Sequence, residues 1–279
     1  MALKLMYITN RPEIARIAEA SGVDRIFVDM EYIGKSARQG GMDTVQSRHT
    51  VEDIQRLRSC VTESELLVRI NPIHDRTDDY TSSEEEIDAV IDSGADIIML
   101  PYFKTAAEVA RFIRRVNKRA RTMLLVETPE AVENLDDILS IEGIDEVHIG
   151  INDLSLGYGK SFMFELLGDG TVEQICGKCR EYGIEYGFGG IAGLGRGSLP
   201  AEKVIMEHYR IGSVRAILSR SFCNTDIVTD LNEVAAIFDV GLKQIRAYEE
   251  YCARHPEDWE TNRREVAEIT NKIASGVGI

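Results

Sequence analysis

The feature that constrains this sequence most is a recurring unit: a short apolar run ends in a polar or charged side chain and passes at once into a helix start. The clearest copy is Leu124-Leu125-Val126-Glu127-Thr128-Pro129-Glu130-Ala131-Val132-Glu133-Asn134. Residues 123–126 are uninterruptedly apolar, which suits a strand buried on both faces of a parallel sheet. Glu127 stands where that strand ends. Thr128 is placed to cap the following helix, and Pro129 to occupy its first position, where a missing N–H costs nothing. The next copy is Glu146-Val147-His148-Ile149-Gly150, with residues 151–155 as the turn that leaves it and Asp153 as a second carboxylate at a strand end. Glu127 and Asp153 lie 26 residues apart, the length of one strand–helix–strand repeat, so both emerge side by side on one rim. Two neighbouring hard oxygen ligands suit a divalent metal.

The same unit accounts for most of the chain. Strands are predicted at residues 3–8, 25–29, 66–70, 96–100, 123–126, 146–150, 185–188 and 214–218, each followed by a helix and none joined to the next by a hairpin turn. The helix after strand five is predicted from Pro129 to about Leu139, and a long one runs from about Asp230 to Cys252. This is the pattern of a TIM (β/α)8 barrel, a fold that runs to about 250 residues as one domain. The predicted domains are a barrel over 1–253 and a C-terminal helical tail over 254–279, the tail forming part of an oligomer interface. Asn10, Asp29, Glu31, Arg69, Asn71, Glu127, Asp153, Ser219 and Arg220 all fall at C-terminal strand ends, whereas the opposite ends carry little but turn residues. In this fold the C-terminal rim holds the active site. An aperiodic, glycine-containing segment over 33–48 follows strand two.

Composition narrows the partners. With 32 basic against 47 acidic residues the net charge is −15, which repels phosphate backbones and anionic lipid, so neither nucleic acid nor membrane is expected as a partner. No apolar run approaches the roughly 20 residues of a membrane span, and the N-terminus lacks a signal-peptide profile, so a cytoplasmic location is expected. Five cysteines, an odd number, make no disulfide framework; Cys176 and Cys179 fall inside a predicted helix and read as structural.

The motifs VETPEAVEN at 126–134 and IGINDLS at 149–155, with the strands around Arg69 and Asp29, resemble the HpcH/HpaI aldolase and citrate lyase β-subunit family over roughly residues 3–222. That resemblance implies a metal-dependent 2-oxo-acid aldolase or lyase. It makes Glu127 and Asp153 the metal ligands and Arg69 the arginine that contacts the substrate's oxo group, with Asp29 and Glu31 on the family's acidic positions after strand two. Where the aldolase branch carries a histidine just after those acids, this chain has Tyr32, and an unperturbed phenol is a poor base at neutral pH. The acid–base position is therefore open between Tyr32, His49 and a metal-bound water, with His74 a further histidine in an irregular rim segment. Asn71, Ser219 and Gly190 are candidate substrate contacts. The glycines from 187 to 197 form a possible phosphate-binding loop. Lys104 and Lys160 are the candidates for a Schiff-base mechanism, but neither falls on a strand end.

These readings converge on a carbon–carbon lyase that uses Mg²⁺ or Mn²⁺ to stabilise the enolate of a pyruvate-like 2-oxo acid and joins it to, or releases it from, an aldehyde or acyl partner. The alternatives are an acyl-CoA lyase or phosphoenolpyruvate-using enzyme on the same barrel, and a non-catalytic binding or assembly protein. The apolar set Leu231, Val234, Ile237, Phe238, Val240, Leu242, Ile245, Tyr248 and Tyr251 is wide for a helix packed on one barrel, which predicts a homo-oligomer.

Overall fold

The structure, a computed structural model, describes residues 2–34 and 47–276, so most of the aperiodic segment after strand two and the last three residues lie outside the described part. Among the described residues the apolar runs form nine strands: β1 (Lys4–Ile8), β2 (Arg25–Asp29), β3 (Glu65–Arg69), β4 (Ile97–Leu100), β5 (Arg121–Val126), β6 (Glu146–Ile149), β7 (Glu185–Phe188), β8 (Gly190–Ile191) and β9 (Arg215–Leu218). They pair in parallel in the order β7-β6-β5-β4-β3-β2-β1-β9-β8. The predicted strand seven is β7; the chain then breaks at Gly189, whose φ of +49° favours glycine, and the start of the predicted glycine loop forms the short β8. Before the break the chain pairs with β6; after it, Gly190 and Ile191 pair with Ile217 and Leu218 of β9. One broken strand thus spans the seam and nearly closes the barrel.

Period-two alternation sorts the inward side chains into layers. Between the strand starts and the rim these side chains are apolar and include Met6, Phe27, Leu67, Met99, Met123 and Leu125. The layer below them corrects the expectation that the N-terminal strand ends hold only turn residues. Seven strands begin with a charge: Lys4, Arg25, Glu65, Arg121, Glu146, Glu185 and Arg215. At a strand start such residues read from sequence as solvent-facing, but barrel closure buries several of them. Arg25 and Arg215 are fully buried and Glu146 is 3% exposed. Glu146 accepts two hydrogen bonds from Arg25, at 2.6 and 2.8 Å, and its Oε2 lies 3.3 Å from Arg215 Nε.

Outside the sheet, α1 (Pro12–Ala20), α2 (Val51–Arg58), α3 (Ser83–Asp92) and α4 (Ala106–Val116) follow the first four strands. Capping boxes start α2, α3 and α4, with Thr50–Asp53, Ser82–Glu85 and Thr105–Glu108 satisfying the first-turn N–H groups reciprocally. The helix predicted over 129–139 is two short ones, α5 (Pro129–Glu133) and α6 (Leu135–Leu139). They separate at Asn134, whose amide donates to the carbonyls of Lys104 and Glu130. The predicted turn at 151–155 is instead the start of a helix, α7 (Ile151–Gly157). There follow α8 (Glu165–Gly168), α9 (Thr171–Glu181) and α10 (Ala201–Ile211).

The long α11 (Leu231–Arg254) takes the eighth helical position, seated against α1 and α10. The last helix, α12 (Trp259–Ala274), folds back over α8 and α10 of the same chain, where Asn262 donates to Lys203 O and Glu207 Oε1. Val234, Phe238, Leu242 and Ile245 are buried by this packing, while Leu231, Val240 and Tyr251 remain exposed. Among the described residues no helix is long and apolar enough to cross a membrane.

Candidate active site

The C-terminal ends of the strands surround a cavity of about 190 Å³ lined by Arg69, Glu127, Gly150, Asp153, Gly190 and Ser219. Its floor is the apolar layer, Phe27, Met99, Leu125 and Ile217, together with His148. A second cavity of about 500 Å³ shares Arg69, Asn152, Met163, Ile217 and Ser219 with the first and extends toward Asn10, Arg11, Asp29, His49, Arg220, Asn224 and Thr225.

Glu127 leaves the end of β5 and is 4% exposed. Its Oε1 accepts the Tyr102 N–H at 3.0 Å, as Thr128 Oγ1 caps α5 by accepting from Ala131 N–H. Its other oxygen passes over Gly150, where a Cβ would stand 2.7 Å away, so the glycine at the end of β6 makes room for this carboxylate. Asp153, 9% exposed, sits in the first turn of α7, which directs it back toward the barrel mouth.

Arg69 at the end of β3 is held in a fork. Nε and Nη2 each donate to Asp29 at 2.8 Å, and Nη1 lies 3.3 Å from Glu31 Oε2. Its guanidinium carbon is 5.6 Å from the Phe27 ring centre. Burial alone would favour loss of its proton; Asp29 and Glu31 outweigh that and raise its pKa well above the ordinary value. Three of its five N–H groups serve these acids, which leaves two for a ligand. The site thus gathers four carboxylates, Asp29, Glu31, Glu127 and Asp153, near the Arg69 guanidinium.

His49 reaches the second cavity from the segment before α2. Its Nδ1 accepts the Asp29 N–H at 2.9 Å. In that bond Nδ1 is the acceptor, which places the ring hydrogen on Nε2. Tyr32 and Asn71, both expected here, line neither cavity. Asn71 Oδ1 accepts the N–H groups of Tyr32 and Ile33, its amide donates to Glu86 at 2.8 Å, and the chain turns outward. Tyr32 ends 43% exposed with its ring centre 5.5 Å from that of Tyr80. His74 is bound at both ring nitrogens to loop carbonyls, Pro72 O and Thr81 O. Lys104 and Lys160 pair with Glu130 and Asp169, which raise their pKa values, the opposite of what a Schiff-base lysine needs. The residue that sequence reasoning passed over is His148. The alternation Glu146, His148, Gly150 already placed it on the inward face, one position below the glycine that accommodates Glu127.

Known proteins bear directly on this arrangement. The model of the HpcH/HpaI aldolase/citrate lyase family matches residues 4–187, a stretch that contains Arg69, Glu127 and Asp153. The chain belongs to this family. The 2-keto-3-deoxy-L-rhamnonate aldolases of Escherichia coli and Shigella boydii are 27% identical to it over 176 residues, 52% of this chain and 58% of each relative. The match therefore spans somewhat over half the length of those relatives. Among solved structures, an HpcH/HpaI aldolase from Desulfitobacterium hafniense superposes with a TM-score of 0.56 at 17% identity, covering 82% of this chain and 92% of the other. A family protein from Burkholderia cenocepacia superposes with a TM-score of 0.60 at 14% identity, covering 84% and 95%. At these identities the likeness is one of fold.

Proposed function

We propose that this HpcH/HpaI family member is a divalent-metal-dependent aldolase that makes or breaks a carbon–carbon bond next to the oxo group of a pyruvate-like 2-oxo acid. The observation that carries the reading is that Glu127, Asp153 and Arg69, from three different segments, line one small cavity. Among the described residues no group of three or more His, Cys, Asp or Glu side chains is placed to hold a metal. Two carboxylates fit Mg²⁺ or Mn²⁺, which keep several waters and take further oxygen ligands from the substrate, and do not fit an all-protein cage. When bound there, the ion supplies Lewis-acid polarisation of the carboxylate and oxo group.

The chain's own residues account for the remaining tasks. Arg69 directs its two spare N–H groups at the C2 oxygen, which gains negative charge as the electron pair of the C3–C4 bond moves onto C3 and C2 in cleavage. Asp29 and Glu31 fix the guanidinium in place beforehand. The second cavity receives the aldehyde partner. As the new bond forms, the aldehyde oxygen becomes negative and His49 Nε2–H donates to it; the proton that C3 loses on forming the enolate goes to solvent, which also supplies the proton the alkoxide takes up. Asn10, Asn224, Thr225 and Ser219 give that cavity a hydrogen-bonding wall suited to a hydroxylated aldehyde. The sugar-acid substrate named for the aldolase relatives has that character. A screen of 2-oxo acids and aldehydes with added Mg²⁺ or Mn²⁺ tests the reading: product formation abolished by EDTA and restored by metal is expected, and metal-independent turnover would contradict it.

The exposed Leu231, Val240 and Tyr251 on α11 support a homo-oligomer. Light scattering is expected to give a multiple of the 31.2 kDa chain mass; a single species at that mass would end the proposal.

A further inference from the structure

We propose that His148 is a specificity-determining residue of the first cavity. Its Nδ1 accepts a hydrogen bond from a hydroxyl carried by the 2-oxo acid on the carbon next to the oxo group. The site then favours a 3-hydroxy-2-oxo acid over the unsubstituted acid as the nucleophile.

This inference rests on the aldolase reading above and is carried by a separate set of observations. His148 lines the cavity and is only 1% exposed. Its Nε2 lies 3.1 Å from Gly189 O, the carbonyl at the break that closes the barrel. A carbonyl only accepts, so Nε2 carries the ring hydrogen and Nδ1 presents a bare lone pair. Nδ1 is buried and has no hydrogen-bond partner. Burial, followed by the charge of Arg215 below it, pushes the imidazole pKa down to about 3, so a second proton does not occupy that lone pair. Around it the floor is Phe27, Met99, Leu125 and Ile217, none of which has a donor to offer.

The charged groups of the cavity stand one inward position above this floor, on the rim. There Glu127, Asp153 and Arg69 engage the carboxylate and oxo group of a 2-oxo acid, which leaves the substituents of the next carbon to reach the floor. A C–H placed there keeps the buried acceptor unpaired, whereas an O–H satisfies it. A site built to pair a substrate hydroxyl rejects the analogue that lacks it, by about tenfold for one neutral hydrogen bond.

The test compares kcat/KM for 3-hydroxypyruvate and pyruvate, with one aldehyde and saturating Mg²⁺, in the parent protein, His148→Phe and His148→Gln. The parent is expected to favour hydroxypyruvate by about tenfold or more. The Phe variant is expected to bring the ratio close to one. The Gln variant, whose amide offers a donor to Gly189 O and an acceptor to the hydroxyl, is expected to keep the preference, and it serves if the Phe variant does not fold. In the parent, the Nδ1 resonance of His148 in ¹⁵N-histidine spectra is expected to move on adding hydroxypyruvate with Mg²⁺ and to stay on adding pyruvate. A parent ratio below about two would mean that solvent serves Nδ1 equally well and would overturn the proposal, as would an unmoved resonance or a preference that survives in the Phe variant. A shifted resonance without any carbon–carbon bond formation would overturn the aldolase reading and with it the nucleophile preference, leaving only the hydroxyl contact at His148.

Discussion

Replacing Glu146 by glutamine is expected to destabilise the barrel by about 3–5 kcal/mol, the cost of removing the one buried counter-ion that two buried arginines have among the described residues, where they keep only the more exposed Glu65 and Glu185. Glu146 is the buried carboxylate shared by Arg25 and Arg215, both at zero exposure. Glutamine keeps the shape but removes the charge and turns an NH₂ toward a guanidinium. Against a total stability of about 5–15 kcal/mol the loss is large, and it is read by urea denaturation. The effect has a pH signature. Burial alone would raise the Glu146 pKa; the hydrogen bonds from Arg25 and the charge of Arg215 outweigh it, and the net shift is downward. A carboxylate depressed in the folded state contributes stability that is present above its unfolded pKa and is lost as pH falls through its folded pKa. The parent is therefore expected to lose stability more steeply than the variant below about pH 4. Equal stability of the two proteins at neutral pH would show that Glu65 and Glu185, which also pair with Arg25 and Arg215, are enough to hold the arginines.

Arg69→Lys is expected to lower turnover by about 10²–10³, the usual effect of removing one preorganised donor from developing charge. Lysine preserves the charge but not the fork. A guanidinium spans both Asp29 oxygens and still has N–H groups for substrate, whereas an ammonium is a single point that Asp29 and Glu31 between them would hold back from the cavity. Steady-state kinetics on the best oxo-acid and aldehyde pair measures it. A variant within a factor of about two of the parent would make Arg69 a structural residue.

Much of the barrel was legible in the sequence because each strand ends in punctuation: Thr128-Pro129 after β5, Gly22 after α1, and the Thr50, Ser82 and Thr105 caps. The strand-end position of Glu127, Arg69 and Asp29 followed from the same boundaries. What the sequence hid are properties of closure. Arg25, Glu146 and Arg215 look like strand-entry charges until the sheet curls and their inward faces meet. His148 looks like one polar residue in a four-residue strand until the break at Gly189 gives its Nε2 a carbonyl and leaves Nδ1 alone. Tyr32 and Asn71 stand next to rim residues in sequence, yet Asn71 captures two backbone N–H groups and turns the chain outward, a tertiary hydrogen bond that local pattern does not reveal.

The central claim is that Glu127 and Asp153 together hold a divalent ion at the barrel mouth. Titration calorimetry of Mn²⁺ into the parent protein, Glu127→Gln and Asp153→Asn, each shown by circular dichroism to be folded, tests it most directly. Each substitution removes one charged oxygen ligand from the rim while leaving the apolar layer of Met6, Phe27, Leu67 and Met123 untouched. The account predicts one Mn²⁺ site in the parent and none measurable in either variant. Parent-like affinity in either folded variant would contradict it.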